Sequence, residues 1–202
     1  MRKLLLMVMV VAALALVGAA VVSAQEATGE PIRVGAIFDL SGATGDVGTP
    51  YGEGVIAYVD WLNDNGGING RPIELISQDY AYSTETAETL YNQFVDEGVV
   101  VFMGWGTGDT LALKSRVAED EIPFISASYS ASLNDPQGEA PYNFLIATSY
   151  GDQMEIMLRV MLEQWTAAGN AAEDMRVAYF HNDSPFGVDP LDQGDAYLTA
   201  QG

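Results

Sequence analysis

Residues 32–79 read IRVGAIFDLSGATGDVGTPYGEGVIAYVDWLNDNGGINGRPIELISQD. A run of strand-forming residues, 32–40, empties into a glycine-rich loop. Thr49 is placed to cap a helix with Pro50 at its first position, and Val55, Val59 and Leu62 share one helical face. GGING at 66–70 makes a turn, and a second strand follows over 71–79 with Pro72 at its start. Strand, helix, strand in this order is the unit of a parallel sheet.

The alternation continues outward from that unit. Ser83 or Thr84 opens a helix carrying Ala87, Leu90, Tyr91, Phe94 and Val95 at the helical period, and Gly98 closes it. VVVFM at 99–103 is unbroken apolar sequence, as expected of a strand covered on both faces. Asp109 or Thr110 is placed to cap the next helix, and strands are expected at 122–126 and 142–148. The pattern predicts an α/β fold with a parallel, doubly wound sheet.

The segment from 152 to 165 reads as an amphipathic helix through Met154, Met157, Leu158, Met161, Leu162 and Trp165, its methionines filling a core. MRVAYF at 175–180 begins a further strand, and 190–202 a helix with a glycine stop. One strand with two helices does not bury a sheet face. The reading therefore expects the front part of a longer protein, with a first lobe over 31–148 and the start of a second over 149–202.

Among 202 residues there are 8 basic and 28 acidic side chains, two lysines and no cysteine, giving a formal charge of −20. Such a chain repels polyphosphates, so nucleic acid is not expected as a partner. Arg2 and Lys3 precede a long apolar run, and Val22 and Ala24 stand at −3 and −1 before Gln25. That layout is a secretory signal over 1–24; an uncleaved anchor is the alternative. With no cysteine after the apolar run, a lipoprotein anchor is excluded, and export proceeds without disulfides.

Four loops leave the carboxyl ends of the strands: 41–52, 80–85, 104–110 and 126–132. They are rich in Gly, Ser, Thr and Tyr, suited to a small polar ligand. A dinucleotide is not expected. Gly104, Gly106 and Gly108 miss the Gly-x-Gly-x-x-Gly spacing, and Asp109 stands where pyrophosphate would sit. The glycines either admit a ligand headgroup to backbone donors or merely make a tight turn.

Enzyme chemistry finds little support. His181 is the only histidine, no Gly-x-Ser-x-Gly occurs, and no zinc ligand set exists, so neither metal nor cofactor is expected. The stretch from Asp60 fails as a calcium loop, with Leu62 third and Arg71 twelfth. Asp39, Asp79 and Asp109 near strand ends read as turn and cap formers ahead of catalytic carboxylates.

Read together, the 32–79 stretch, FMGWGTGDT, IPFISASYS and YFHNDSPFG resemble the branched-chain amino acid-binding (Leu/Ile/Val-binding) family of ABC transporter solute-binding proteins over about 31–202. The resemblance implies the type I periplasmic-binding-protein fold, two lobes closing on a small ligand. It also implies a membrane permease of an ABC transporter as partner and a periplasmic or extracytoplasmic location.

By position, the resemblance makes Tyr51 an aromatic that packs on the ligand, and Gly106, Thr107 and Gly108 the loop for its carboxylate. Ser128, Tyr129 and Ser130 share the carboxylate and ammonium, and Phe186 closes over the ligand. Gly108 stands where amino acid receptors carry serine, with Thr107 as the substitute hydroxyl. Trp105 and Tyr129 are bulky, which favours a larger or aromatic ligand. The acidic residue that usually binds the ammonium is expected past Gly202. Related receptors take amino acids, amides, urea or aromatic acids. A ligand-sensing domain of a receptor or regulator with the same fold is the other reading.

Cleavage of the signal makes Gln25 the first residue of the exported protein. N-terminal sequencing checks this, and a retained Met1 would contradict it.

Overall fold

The computed structural model describes residues 27–201. The signal reading over 1–24 lies outside them. Five strands form one parallel sheet: β1 (Ile32–Phe38), β2 (Ile73–Asp79), β3 (Val101–Gly104), β4 (Phe124–Ser126) and β5 (Asn143–Phe144), in the order β2-β1-β3-β4-β5. The connecting helices are α1 (Gly45–Asp64), α2 (Thr84–Asp96) and α3 (Thr107–Asp120). Three more follow the sheet: α4 (Tyr150–Ala167), the short α5 (Pro185–Val188) and α6 (Leu191–Gln201).

Side chains alternate across β1, so Ile37 and Phe38 face opposite ways. Ile37 joins the main core with Leu90, Tyr91 and Phe94 of α2, Leu113 and Val117 of α3, and Phe102 and Phe124 of the sheet. Phe38 meets α1 at Tyr51, ring centroids 5.8 Å apart. Helices thus cover both faces of β1. Phe102 is the hub of the main core, stacked at 4.5 Å on Tyr91, 5.8 Å on Phe124 and 6.3 Å on Phe94. Gly35 must be small here, since an added Cβ would lie 2.7 Å from the Phe102 ring.

The α2 reading holds. Ser83 caps it by accepting from the Thr86 N–H at 3.3 Å, its apolar face is buried, and Gly98 takes φ +82° just beyond its end. Other expectations need correction. Helix α1 starts at Gly45 instead of Pro50, which lies inside it. The extra turn forms because the Asp39 carboxylate fixes Thr44, whose carbonyl then accepts from the N–H groups of Val47 (3.0 Å) and Gly48 (2.8 Å). Helix α3 starts at Thr107 with Gly106 as its N-cap, leaving Asp109 in the first turn.

The expectation of two covered faces fails for β3 and β4. Phe102 and Phe124 are buried, whereas Val101, Met103 and Ile125 are only half-buried, because the described helices over β3 and β4 pack on one side. Strand β5 is two residues long. Residues 175–180 do not form a strand, because no described strand lies beside them to complete a ladder, and Phe180 is 98% exposed. The α4 methionines are not all core: Leu158 is buried, but Met157 and Met161 are exposed. Helix α4 packs on α6 at Gly194, where an added Cβ would lie 2.9 Å from Met154 and 3.4 Å from Leu158.

Removing the Phe102 ring leaves a cavity that the stacked aromatics cannot refill. Phe102→Ala should destabilise the chain by about 3–5 kcal/mol. Urea unfolding measures it, and a loss below about 1 kcal/mol would contradict the hub role.

Candidate functional site

In the strand order β2-β1-β3, the chain leaves β1 toward one edge and β3 toward the other. The crevice outside their carboxyl ends is the place where such sheets bind ligands. A cavity of about 270 Å³ lies there. Its wall takes Thr44 and Val47 from the loop and helix after β1, Tyr82 from the loop after β2, and Trp105, Gly106 and Thr107 after β3. Ala127, Tyr150 and Phe186 close the other side. A second cavity, of about 540 Å³, shares Tyr150 and Phe186 and runs along α4 to Tyr179 and His181.

Carboxylates, one buried and one half-buried, shape the walls. Asp39, fully buried, accepts from the N–H of Gly42 (2.7 Å), the N–H of Thr44 (2.8 Å) and the Thr44 hydroxyl (2.6 Å). Asp79 accepts from the N–H groups of Leu40 and Ala81, both at 2.9 Å, and from the Ser41 hydroxyl. Those bonds hold its carboxyl below the ordinary value despite the opposing effect of burial. Both acids thus serve as turn formers. Past Asp79, Ala81 and Tyr82 both take positive φ, +50° and +56°, a strained pair that brings the Tyr82 ring to the cavity.

Trp105 is fixed from two sides. Its indole N–H donates to the Thr44 hydroxyl at 2.8 Å, and its ring packs on Tyr51 at 5.0 Å. Burial pushes the Tyr51 hydroxyl up from its ordinary pKa. At Gly106 there is no room for a side chain: a Cβ would lie 2.2 Å from Asp109 Oδ1 and 2.5 Å from the Tyr80 hydroxyl. The Tyr80 hydroxyl donates to Asp109 Oδ1 at 2.9 Å, while Asp109 Oδ2 is buried with no hydrogen-bond partner. Burial pushes the Asp109 carboxyl up to about 6, against the pull of Tyr80 and of the N–H groups of Asp109 itself and Gly106.

The loop after β4 supports the wall from behind. Ser128 is buried and its hydroxyl donates to the Thr107 hydroxyl at 2.8 Å. Ser126 accepts from the Ser128 N–H at 2.9 Å and pairs with Thr110 at 2.7 Å. The Ser130 hydroxyl donates to Asp189, just after α5. Tyr129 packs on Tyr150 at 5.6 Å, and Tyr150 meets Phe186 edge-on at 5.2 Å.

Of the residues expected at the site, Trp105, Gly106, Thr107 and Phe186 come together at the cavity wall. Tyr51, Ser128 and Tyr129 form the layer behind it, Ser130 reaches α5 instead, and Gly108 lies beside Pro185 and Thr84. Sequence reasoning missed Thr44, Val47, Tyr82, Ala127 and Tyr150. The first four lie in segments already marked as strand-end loops. Tyr150 carried no signal beyond its place after the helix-capping Ser149.

A family model described as periplasmic binding protein matches residues 31–202. A curated relative is the chemotactic signal transduction system substrate-binding protein BasB of Halobacterium salinarum, 28% identical over 167 residues, covering 79% of this chain and 39% of that protein. Among solved structures, a branched chain amino acid ABC transporter protein from Thermus thermophilus with bound valine is 28% identical. Its TM-score is 0.77, over 87% of this chain and 44% of that one. An ABC transporter substrate-binding protein from Aeropyrum pernix is 32% identical with a TM-score of 0.73, over 86% and 44%. The chain spans less than half the length of each of these three proteins. It belongs to the periplasmic binding protein family, and its fold is the type I fold of those receptors.

The raised Asp109 carboxyl has a consequence for stability. The unfolded chain releases this proton near the ordinary value of 3.8, the folded chain only near 6. Its contribution is therefore complete below about pH 4 and is lost as pH rises through 6. Asp109→Asn removes the titration, so the melting temperature of the native chain should fall relative to the variant between pH 4 and 6.5. A constant difference would contradict the assignment.

Proposed function

We propose, from membership of the periplasmic binding protein family and from the cavity at the β1/β3 crevice, that this chain captures a small solute outside the cytoplasm and presents it to an ABC transporter permease. The observation that carries the reading is the convergence of four strand-end loops and Phe186 on one cavity of about 270 Å³. In this reading residues 31–148 are the first ligand-binding lobe and 149–202 the start of the second. Trp105, Gly106, Thr107 and Phe186 touch the solute. Tyr51, Ser128 and Tyr129 hold those groups in place, and Gly108 and Ser130 position the α5 segment against the first lobe.

The mechanism is a population shift. Solute binds the first lobe, and the segment bearing Phe186 closes on it. The closed state is favoured by the difference in affinity between the two states, and no covalent bond is made or broken. An amino acid-like solute, an amide or an aromatic acid is the ligand class. A second reading is ligand sensing, favoured by the relative whose name places it in chemotactic signal transduction.

A solute at 100 times its dissociation constant stabilises the protein by about 2.7 kcal/mol. Thermal melting of the full-length protein with amino acids, amides and aromatic acids should show such a shift for one class. An unchanged melting temperature across the panel would contradict solute capture. Ser128→Ala removes the hydrogen bond that orients Thr107, and Tyr51→Ala frees Trp105. Each should weaken binding about fivefold, the worth of about 1 kcal/mol, in titration calorimetry while the fold persists.

A further inference from the structure

The segment that carries Phe186 is braced within itself. The Ser184 hydroxyl donates to Asn182 Oδ1 at 2.7 Å and accepts from the Gly187 N–H at 3.2 Å. The Val188 N–H donates to the Ser184 carbonyl at 3.1 Å, and the Asp189 N–H to the Pro185 carbonyl at 3.2 Å. Gly187 admits no side chain, since a Cβ would lie 2.2 Å from the Asn182 carbonyl oxygen. Residues 182–189 are thus tied from end to end, and Phe186 moves with Asp189.

Two contacts join this unit to the strand-end loops. The Asp189 carboxylate accepts from the hydroxyl of Ser130, in the loop after β4. Ser130 is fully buried, its N–H donates to the Ser128 hydroxyl at 3.4 Å, and its hydroxyl lies 3.0 Å from that of Ser132. A hydrogen bond from a fixed hydroxyl to a carboxylate is of the strong, charge-assisted kind. The second contact is at Gly108 in the first turn of α3. A Cβ there would lie 3.6 Å from Pro185, an ordinary contact distance. Phe186 lines the cavity of about 270 Å³, whereas Gly108, Ser130 and Asp189 do not. The Ser130–Asp189 bond exists only while the segment lies against the loop after β4. When the segment swings away, water replaces Ser130 at the carboxylate.

We infer that the Ser130–Asp189 hydrogen bond is a closure latch, which sets how much of the time Phe186 covers the cavity. This rests on the solute-capture reading and names the pair that tunes its closing step. A solute held by the covered cavity has an apparent dissociation constant that rises as the covered fraction falls. Neither partner lines the cavity, so the latch scales the affinity for every solute alike and takes no part in choosing among them. Ser130 and Asp189 are positioning residues that act through Phe186.

The test measures the gap itself and needs no solute. Spin labels on Glu119→Cys of α3 and Asp183→Cys of the segment, both exposed positions, report near and far populations of the full-length protein by pulsed electron spin resonance. Asp189→Ala should lower the near-to-far ratio at least about fivefold, the worth of one hydrogen bond. Ser130→Ala should do the same, and the double variant should fall no further than either single one. Asp189→Asn keeps an acceptor oxygen and should lie nearer the wild type than Asp189→Ala does. Gly108→Ala should raise the ratio, because its methyl group meets Pro185 only in the near state. Hydrogen exchange in the α2 core should be the same in every variant, and a faster core would mean loss of fold and overturn the latch. A wild type with no near population, an unchanged ratio in Asp189→Ala, or additive losses in the double variant would overturn it too. Leucine and benzoate then serve as probes in titration calorimetry. Asp189→Ala should weaken both by the same factor, and unequal factors would overturn the indifference to solute. Failure of both probes, together with a flat melting panel, would overturn solute capture, while the label distances alone decide the latch.

Discussion

Strand β1 is hydrogen-bonded on both sides, to β2 over seven residue pairs and to β3 over three. The chain therefore leaves β1 and β3 in opposite directions, and the loops at their carboxyl ends part to leave a crevice. The strand-end residues of the cavity wall are placed by that geometry, and Tyr150 and Phe186 reach it from α4 and α5. The loop after β1 brings Thr44, the turn after β3 brings Trp105 and Thr107, and the flanking loops bring Tyr82 and Ala127. The aromatic stack centred on Phe102 keeps the strands in this order by tying β3 and β4 to α2.

Within that frame, carboxylates are the internal scaffold. In a chain with 28 acidic residues, three of those near the cavity show how carboxylates anchor turns. Asp39 and Asp79 each gather donors from successive turns and are held by them. Asp109 is held less completely, by the Tyr80 hydroxyl, with one oxygen left over. The difference is physical: the donors on Asp79 stabilise its charged form, whereas burial with few donors disfavours the charged form of Asp109. The incomplete acid packs beneath Gly106, a residue of the cavity wall.

The parallel α/β fold was legible because its signals are local and repeated: apolar strand runs, the helical period of α2, and glycine stops. Helix starts were less legible. The start of α1 depends on Asp39 reaching Thr44, and that of α3 on Gly106 as cap, both tertiary matters. The same cause explains 175–180. Its apolar alternation suits a strand, but a strand exists only with a neighbour, and pattern within a segment carries no information on that. For the site, loop membership was legible, whereas the order of depth was not. Ser128 and Thr107 both read as candidate hydroxyls, and only the packing shows that Ser128 stands behind Thr107 and supports it.

The central claim is that one cavity, made by the strand-end loops and the α5 segment together, is where a solute is held. Hydrogen exchange of the full-length protein, with and without the solute that shifts its melting temperature, tests this most directly. The account predicts slowed exchange in residues 41–52, 104–110, 126–132 and 184–190 at once, with the α2 core unchanged. Protection confined to α4 and residues 175–182, or absent from 104–110, would contradict it.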